Sequence, residues 1–129
     1  MTHGPTIGLI DDDVNIRVAL DSLLRAVGYQ TAVFSSASEF LECGRENVQC
    51  IILDIRMPGI SGLELQSRLA SEGCGMPVIF MTGHLNDRIK ERAIRNGARC
   101  VLSKPVEQGD ILRCIAHALG KEGNIAPDA

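Results

Sequence analysis

Residues 51–56, with the sequence Ile-Ile-Leu-Asp-Ile-Arg, place three aliphatic side chains directly before a carboxylate. The next three residues, Met57-Pro58-Gly59, favour a turn. A short apolar run bounded by turn signals is typical of a buried strand, so Asp54 is predicted at the carboxyl end of that strand. In open parallel α/β sheets, ligands bind at that end. A single aspartate after a strand is more often a turn or capping residue, so the interpretation of Asp54 depends on the rest of the chain.

Four more apolar runs of this kind alternate with stretches of helical periodicity. The predicted strands cover residues 6–10, 29–34, 48–53, 77–82 and 99–103. Apolar residues recur at helical spacing in segments that begin near residues 14, 36, 61, 86 and 111. Strands that alternate with helices predict an α/β fold, a doubly wound parallel sheet of five strands with helices on both faces.

The predicted helix boundaries follow from capping and terminator residues. Ser36 with Glu39, and Ser61 with Glu64, have the spacing of a capping box. The apolar stripe of the first helix consists of Ile16, Leu20, Leu23, Leu24 and Val27, with Gly28 as its terminator. The fourth helix, capped by Asn86 or Asp87, is only weakly amphipathic, and we therefore expect it to be the least firmly docked.

Length and charge limit the classes of function that this chain can serve. It has 129 residues, enough for one domain, and 45% of them are hydrophobic, which is typical of a globular protein. The net charge of −3 gives no basic footprint for direct nucleic-acid binding by this segment. No apolar run approaches the ~20 residues that span a bilayer, and no signal peptide is recognisable at residues 1–6. The sequence therefore predicts a cytoplasmic protein without membrane contact.

The five cysteines are widely spaced, at positions 43, 50, 74, 100 and 114. Their number is odd and no Cys-x-x-Cys pair occurs. In a cytosolic protein this pattern favours separate buried or surface thiols over a metal or redox site.

Polar residues follow several of the predicted strands where each strand ends. Asp11 and Asp12 follow the first strand, Asp54 ends the third, Thr82 ends the fourth and Lys104 follows the fifth. If the first and third strands are neighbours, the three carboxylates meet at one edge of the sheet. Each pair of like charges at ~4 Å then costs about 4 kcal/mol at an effective dielectric of ~20. A bound cation relieves this repulsion, and a compact set of hard oxygen ligands favours Mg²⁺.

This residue set suits the acceptance of a phosphoryl group. A carboxylate such as Asp54 can act as a nucleophile and form an aspartyl phosphate. The Lys104 ammonium would neutralise a phosphoryl oxygen, and the Thr82 hydroxyl would donate a hydrogen bond to it. Asp13, in contrast, is predicted only to cap the first helix.

Four motifs resemble the receiver domain of bacterial two-component response regulators. They are Ile10-Asp11-Asp12-Asp13, Leu53-Asp54-Ile55-Arg56-Met57-Pro58-Gly59, Thr82-Gly83-His84 and Ser103-Lys104-Pro105. Their order and spacing match from about residue 6 to residue 119, and the loop after Asp54 is most similar to FixJ-type receivers. The resemblance implies a flavodoxin-like sheet with strand order 2-1-3-4-5.

The resemblance also assigns a role to each site residue. Asp54 is implied as the phosphoacceptor. Asp11, Asp12 and Asp54, with the backbone carbonyl of Arg56, are the implied Mg²⁺ ligands.

Two further residues are implied to respond to the phosphoryl group, Thr82 as the switch hydroxyl and Lys104 as its charged partner. Receivers usually hold the Lys–Pro bond cis, so the resemblance predicts a cis Lys104-Pro105 peptide, against ~5–6% of X–Pro bonds in general.

The chain departs from the receiver pattern at Val101, three residues before the lysine. The family usually has a Tyr or Phe there, which rotates inward on activation. Valine is stiff at χ1 and has no ring to swing. This departure puts in question the coupling from Thr82 to the surface formed by the fourth helix, fifth strand and fifth helix. We expect Val101→Tyr to leave phosphorylation rates within a few-fold and to change output.

The resemblance implies partners as well as chemistry. A sensor histidine kinase or phosphotransfer protein would donate the phosphoryl group. Phosphorylation would then switch the surface formed by helix four, strand five and helix five. Homodimerisation would occur through this surface, and transcription would be controlled by an attached or separate partner. The receiver domain is predicted over residues 1–120, and residues 121–129 as a polar tail or the start of a linker.

Three other functions share part of this sequence pattern. A Mg²⁺-dependent aspartyl-phosphate phosphatase needs a second aspartate two residues after the nucleophile, where this chain has Arg56. The expectation is therefore a switch with slow autodephosphorylation and not an enzyme. A flavodoxin-like FMN carrier is disfavoured because Asp11, Asp12 and Asp13 would repel the phosphate. A single-domain or partly degenerate receiver that acts by protein contacts is favoured only by Val101.

Overall fold

The computed structural model describes residues 5–43, 47–57 and 59–120. The strands are β1 (Thr6–Ile10), β2 (Gln30–Phe34), β3 (Cys50–Asp54), β4 (Val78–Thr82) and β5 (Cys100–Ser103). The helices are α1 (Val14–Ala26), α2 (Ala37–Cys43), α3 (Gly62–Ser71), α4 (Asp87–Arg95) and α5 (Gln108–Ala118). Strands and helices alternate along the chain, as predicted.

The five strands form one parallel sheet in the order β2-β1-β3-β4-β5. This confirms the predicted fold class and strand order. The register pairs Ile10 with Leu53 and Asp54 with Met81. The ends of β1, β3 and β4 therefore lie side by side, and the polar residues that follow them share one edge.

Two core clusters cover the two faces of the sheet, because parallel strands alternate their side chains between faces. The first core cluster lies under α2, α3 and α4 and includes Phe40, Leu65, Phe80 and Ala93. The second core cluster lies under α1 and α5 and consists of Ile7, Leu9, Leu24, Cys50, Ile52, Ile79, Met81, Ile111, Cys114, Ile115 and Ala118. Along β5, Val101 belongs to the first cluster, whereas Cys100 and Leu102 pack against the second.

Side chains cap the helices at the predicted positions. Asp13 accepts from the N–H of residue 15 at 2.9 Å, Ser61 from Glu64 at 3.1 Å, and Asn86 from residue 89 at 2.9 Å. The capping role predicted for Asp13 is therefore confirmed, and Asn86, not Asp87, caps α4.

Some predicted details differ from the structure. Val27 was expected on the inward stripe of α1, but it lies past the last turn as the C-cap and is 50% exposed. β2, β3, β4 and β5 begin one or two residues later than the apolar runs suggested, because residues such as Val48 are buried without joining the ladder. The predicted tail at residues 121–129 lies outside the described residues.

The expectation of separate thiols is wrong for two of the five cysteines. Cys100 on β5 and Cys114 on α5 form a disulfide across the second core cluster. Cys50 and Cys74 are free. Sequence spacing could not show this pair, because it depends on how α5 lies against β5.

Across the described parts of the chain, no helix has the length and apolar character that a membrane crossing requires.

Candidate functional site

Two carboxylates and one ammonium meet at the carboxyl edge of the sheet. The Nζ atom of Lys104 lies 2.7 Å from Oδ2 of Asp54 and 3.2 Å from Oδ2 of Asp11. All three side chains are well shielded, with 21% of the Lys104, 13% of the Asp54 and 3% of the Asp11 side chain exposed. The structure thus brings together residues that are 50 and 93 positions apart in sequence.

The backbone fixes the second oxygen of each carboxylate. Oδ1 of Asp11 accepts from the N–H of Asp13 at 2.9 Å, and Oδ1 of Asp54 accepts from the N–H of Arg56 at 3.0 Å. Each carboxylate therefore uses one oxygen to hold its own turn and presents the other to Lys104. The same arrangement at two strand ends keeps both groups pointed at a common centre.

A backbone hydrogen bond positions Lys104 at this centre. Its backbone N–H donates to the carbonyl of Thr82 at 2.8 Å, which extends the β4–β5 pairing by one step. This bond places Lys104 directly beside the end of β4. The Lys104-Pro105 peptide is cis, as the resemblance predicted.

Thr82 is the last residue of β4 and is 1% exposed. Its Oγ1 accepts from the N–H of His84 at 3.2 Å. Asp54 pairs in register with Met81, so Thr82 stands one residue further along the neighbouring strand. The hydroxyl is thus buried at the same edge as the acid pair, in the position predicted for it.

Asp12 and Arg56 complete the residues predicted for the site, and both are exposed. Within the described ranges, Asp12 makes no hydrogen bond or ion pair, and no three metal-ligand side chains are grouped as a ready cage. The structure therefore joins Asp11 to Asp54 but leaves Asp12 in water. Mutual repulsion of three carboxylates around a single ammonium accounts for this arrangement.

Burial and charge act against each other in this cluster. Burial raises the pKa of Asp11 above its ordinary value, although the N–H of Asp13 and the Lys104 ammonium counteract it. Burial by itself would lower the pKa of Lys104, but its bonds to Asp54 and Asp11 prevail and the pKa is raised. The Lys104 side chain is therefore positively charged, whereas burial disfavours the charged form of the Asp11 carboxylate.

Gly62, the first residue of α3, packs against the end of β3, where Asp54 lies. Its N–H donates to the carbonyl of Ile55 at 2.9 Å. A Cβ atom at Gly62 would come within 2.5 Å of the Asp54 carbonyl oxygen and 2.9 Å of the Phe80 ring. Only glycine lets the helix approach the strand that ends at Asp54 this closely. At Gly83, beside Thr82, a Cβ would meet nothing within 4 Å.

Two polar contacts, one beside the site and one between α3 and α4, were not predicted from the sequence. Nη1 of Arg17 donates to the carbonyl oxygen of Asp11 at 2.8 Å, which ties α1 to the acidic turn. Gln66 on α3 is 3% exposed, and its Nε2 donates to the carbonyl of Ala93 on α4 at 3.0 Å. For Gln66 the available signal was its position between Leu65 and Leu69, on the inward side of α3.

An apolar cavity of about 430 Å³ opens beside Lys104. It lies between α1 and the segment that leads from β5 to α5, and its lining consists of Ile16, Ala19, Leu20, Met81, Lys104, Pro105 and Val106. The site therefore borders an apolar surface on its α1 side.

The family profile described as "response regulator receiver domain" matches residues 7–116. Among curated proteins, the chain is 41% identical over 114 residues to the response regulator protein TmoT of Ectopseudomonas mendocina, covering 88% of this chain and 52% of that protein. It is 39% identical over 122 residues to the transcriptional regulatory protein FixJ of Azorhizobium caulinodans, covering 94% and 58% respectively. The chain spans about half the length of the curated relatives it matches.

Solved structures show the same likeness. The response regulator StyR superposes with a TM-score of 0.84 at 38% identity, covering 94% of this chain and 62% of that one. The structure titled FixJ-N superposes with a TM-score of 0.82 at 29% identity, covering 92% and 96%. Profile, relatives and solved structures agree on one conclusion, that this chain belongs to the response regulator receiver domain family of two-component systems.

Proposed function

We propose that this chain is a phosphoacceptor switch that takes a phosphoryl group onto Asp54. The donor is the phosphohistidine of a sensor histidine kinase or phosphotransfer protein, since receiver domains work with such kinases and with output domains. One observation carries the proposal. A single ammonium, Nζ of Lys104, joins Oδ2 of Asp54 to Oδ2 of Asp11 at an edge that also holds the buried Thr82 hydroxyl.

In the transfer step, a carboxylate oxygen of Asp54 attacks the phosphorus in line with the phosphorus–nitrogen bond of the donor. An oxygen–phosphorus bond forms as the phosphorus–nitrogen bond breaks, and the imidazole nitrogen keeps the electron pair. Lys104 already contacts the attacking group at 2.7 Å, so its charge is in place for the incoming oxygens.

Receiver domains generally depend on Mg²⁺. The residues that would hold it here are Asp11, Asp12, Asp54 and the backbone carbonyl of Arg56, all of which offer hard oxygen donors. Two of these carboxylates already face one cation, the Lys104 ammonium, so the donor set fits a second positive charge at this edge. Bound Mg²⁺ would supply charge neutralisation for an anionic phosphoryl donor.

The phosphoryl group would then be held and sensed by the chain's own residues. The Thr82 hydroxyl, whose oxygen accepts from the N–H of His84, moves toward the phosphoryl group and donates its own O–H to a phosphoryl oxygen. Lys104 shifts its bonds from the free carboxylates to the phosphoryl group. Arg56, in place of a second aspartate, supplies no base to activate water, so the aspartyl phosphate is long-lived and the chain acts as a switch and not as an enzyme.

The surfaces beside the site suit protein partners. The apolar cavity lined by Ile16, Leu20 and Val106 adjoins Lys104, where a kinase or phosphotransfer helix can dock close to Asp54. On α4, Ile94 is 46% exposed and would serve a phosphorylation-dependent homodimer through α4, β5 and α5. Such a receiver works in the cytoplasm and controls transcription through an attached or separate partner.

A second candidate is a partly degenerate receiver that works only through protein contacts. Val101, buried where the family usually has an aromatic ring, is the observation that favours it. The two candidates differ in whether Asp54 accepts phosphate.

The decisive experiment is mass detection of phosphate after incubation of the 129-residue chain with acetyl phosphate and Mg²⁺. We expect the wild type to gain one phosphoryl group and Asp54→Ala to gain none. Asp87→Asn, which alters an exposed carboxylate on α4, is the matched control and should label like the wild type.

Absence of label on the wild type, or equal label on Asp54→Ala, would overturn the proposal. The lifetime of the label after removal of acetyl phosphate tests the switch against the phosphatase alternative. A label lost as fast as it forms would favour the phosphatase.

A further inference from the structure

The pairing of Cys100 with Cys114 stands apart from the acid site. Cys100 opens β5 and Cys114 lies in the middle of α5, with a sequence separation of 14 and a Cα–Cα distance of 6.2 Å. Natural disulfides span about 4.4–6.8 Å between Cα atoms. The backbone therefore holds the two side chains at bonding range without any displacement of α5.

The two thiols differ in access, which gives each a distinct role. Cys100 is partly exposed, whereas Cys114 is 8% exposed and belongs to the second core cluster. An external reagent therefore reaches Cys100 first, and Cys114 lies behind it to displace that reagent.

Cys50 and Cys74, which are both free, lack the combination of access and a bonding neighbour that the pair has. Cys50 is fully buried, and burial raises the pKa of its thiol to about 12, so it is inert at neutral pH. Cys74 is partly exposed but free. The pair combines access with a neighbour, which is the arrangement of a resolving thiol pair.

We propose that Cys100 and Cys114 form a reversible thiol–disulfide site, oxidised by low-molecular-weight disulfides of the glutathione class. The Cys100 thiolate attacks one sulfur of the oxidant, a mixed disulfide forms, and one reduced thiol leaves. The Cys114 thiolate then attacks the sulfur of Cys100, the internal disulfide forms, and the second reduced thiol leaves. The protein loses two electrons and two protons, and one molecule of oxidant becomes two thiols.

The Cys100–Cys114 disulfide would restrain the segment that contains Lys104. Oxidation closes a ring from residue 100 to residue 114, which contains Lys104, the cis peptide bond and the start of α5. In the reduced protein, side chains such as Ile111 and Ile115 pack α5 against the sheet, with no covalent bond between α5 and β5. Oxidation is therefore expected to restrain α5 against β5. The proposal does not rest on phosphoryl transfer, because neither Mg²⁺ nor Asp54 takes part in it.

The test equilibrates the 129-residue chain in mixtures of reduced and oxidised glutathione, blocks free thiols with an alkylating reagent, and maps the cysteines by mass spectrometry. We expect the wild type to lose alkylation at Cys100 and Cys114 together as the buffer becomes oxidising, and to regain it on reduction. Cys74→Ser is the matched control and should behave like the wild type. Cys114→Ser should stop at a glutathione adduct on Cys100.

A second measurement tests the restraint. Oxidised wild type should melt about 5–10 °C higher than reduced wild type, since a ring of ~15 residues limits the unfolded chain. Its amides over residues 104–118 should also exchange more slowly, and Cys100→Ser should show neither difference.

Two results would overturn the proposal. One is that Cys100 and Cys114 stay fully alkylated in the most oxidising mixture. The other is that both redox forms melt and exchange alike.

Discussion

Helices α3 and α4 flank the site on the same face of the sheet, but they are attached to it very differently. Of the ten residues of α3, five are buried, Gly62, Leu63, Leu65, Gln66 and Leu69. Of the nine residues of α4, only Ala93 is buried. Both helices begin with a side-chain cap, Ser61 for α3 and Asn86 for α4. Capping therefore decides where each helix starts, and burial decides how firmly it is held.

The difference matters because each helix follows a different functional strand. α3 follows β3, which ends at Asp54, and Gly62 packs directly against that strand end. α4 follows β4, which ends at Thr82, and six of its nine residues are charged. We infer that the acceptor side of the site is fixed, while the sensing side can move when Thr82 moves.

The largest expected effect comes from truncating an apolar residue on each helix. Leu65→Ala should lower the free energy of unfolding by about 3 kcal/mol, because Leu65 is fully buried in the first core cluster and a cavity would remain. Ile94→Ala on α4 should change it by less than ~0.5 kcal/mol, because Ile94 is 46% exposed. Urea unfolding followed by circular dichroism measures both, and equal losses would break the comparison.

The second pair of substitutions tests a glycine at the start of α3 and a glycine in the loop before α4. Gly62→Ala should destabilise the fold by about 2 kcal/mol, because its Cβ would press on the backbone oxygen of Asp54. It should also slow labelling of Asp54, since the acceptor strand must shift. Gly83→Ala should leave stability within ~0.5 kcal/mol, because the space around it is open. A stable, normally labelled Gly62→Ala protein would show that α3 is not a fixed support.

Much of this architecture follows from local sequence signals. The strands were predictable because short apolar runs end in turn residues, and the starts of α1, α3 and α4 because Asp13, Ser61 and Asn86 cap them. The candidate site was predictable because its residues follow strands whose carboxyl ends share one edge. The strand order and the cis peptide bond came from the family resemblance.

What sequence could not supply depends on how elements rotate against one another. Cys114 lies in the core on α5 and bonds to Cys100, but a small residue adds little to an apolar periodicity, so the sequence did not mark it as a core position. A polar side chain such as Gln66 is expected to be exposed, but on α3 it faces the interior and donates to the backbone of α4. Asp12 was grouped with Asp11 and Asp54, although in the structure it faces water.

A smaller effect is expected at the one described polar link from α3 to α4. Gln66→Met removes the bond from Nε2 to the carbonyl of Ala93, and also the buried Oε1, which has no partner among the described residues. The lost bond is worth ~0.5–1.5 kcal/mol, and removal of an unpaired buried acceptor offsets it, so stability should change by less than ~1 kcal/mol. Hydrogen exchange in α4 should nevertheless become faster.

The matched control for this link is Arg68→Met, an exposed position on the same helix. It should leave exchange in α4 unchanged. If Gln66→Met leaves α4 exchange unchanged as well, the Gln66 link does not restrain that helix.

The smallest expected change in phosphorylation chemistry comes from Val101→Tyr. Val101 is 9% exposed, lies opposite Phe80 in the β4–β5 register and belongs to the same core cluster as Ala93. A ring at this position presses toward α4, which can yield because only one of its nine residues is buried, whereas the acid pair stays in place. Labelling by acetyl phosphate should therefore remain within a few-fold of the wild type, while dimerisation or partner binding of the phosphorylated protein changes. Val101→Ile, which adds bulk without a ring, should behave like the wild type in both assays. If the Tyr variant and the wild type dimerise or bind equally, an aromatic ring at position 101 has no effect on output. The response to Thr82 would then have to pass through α4 alone.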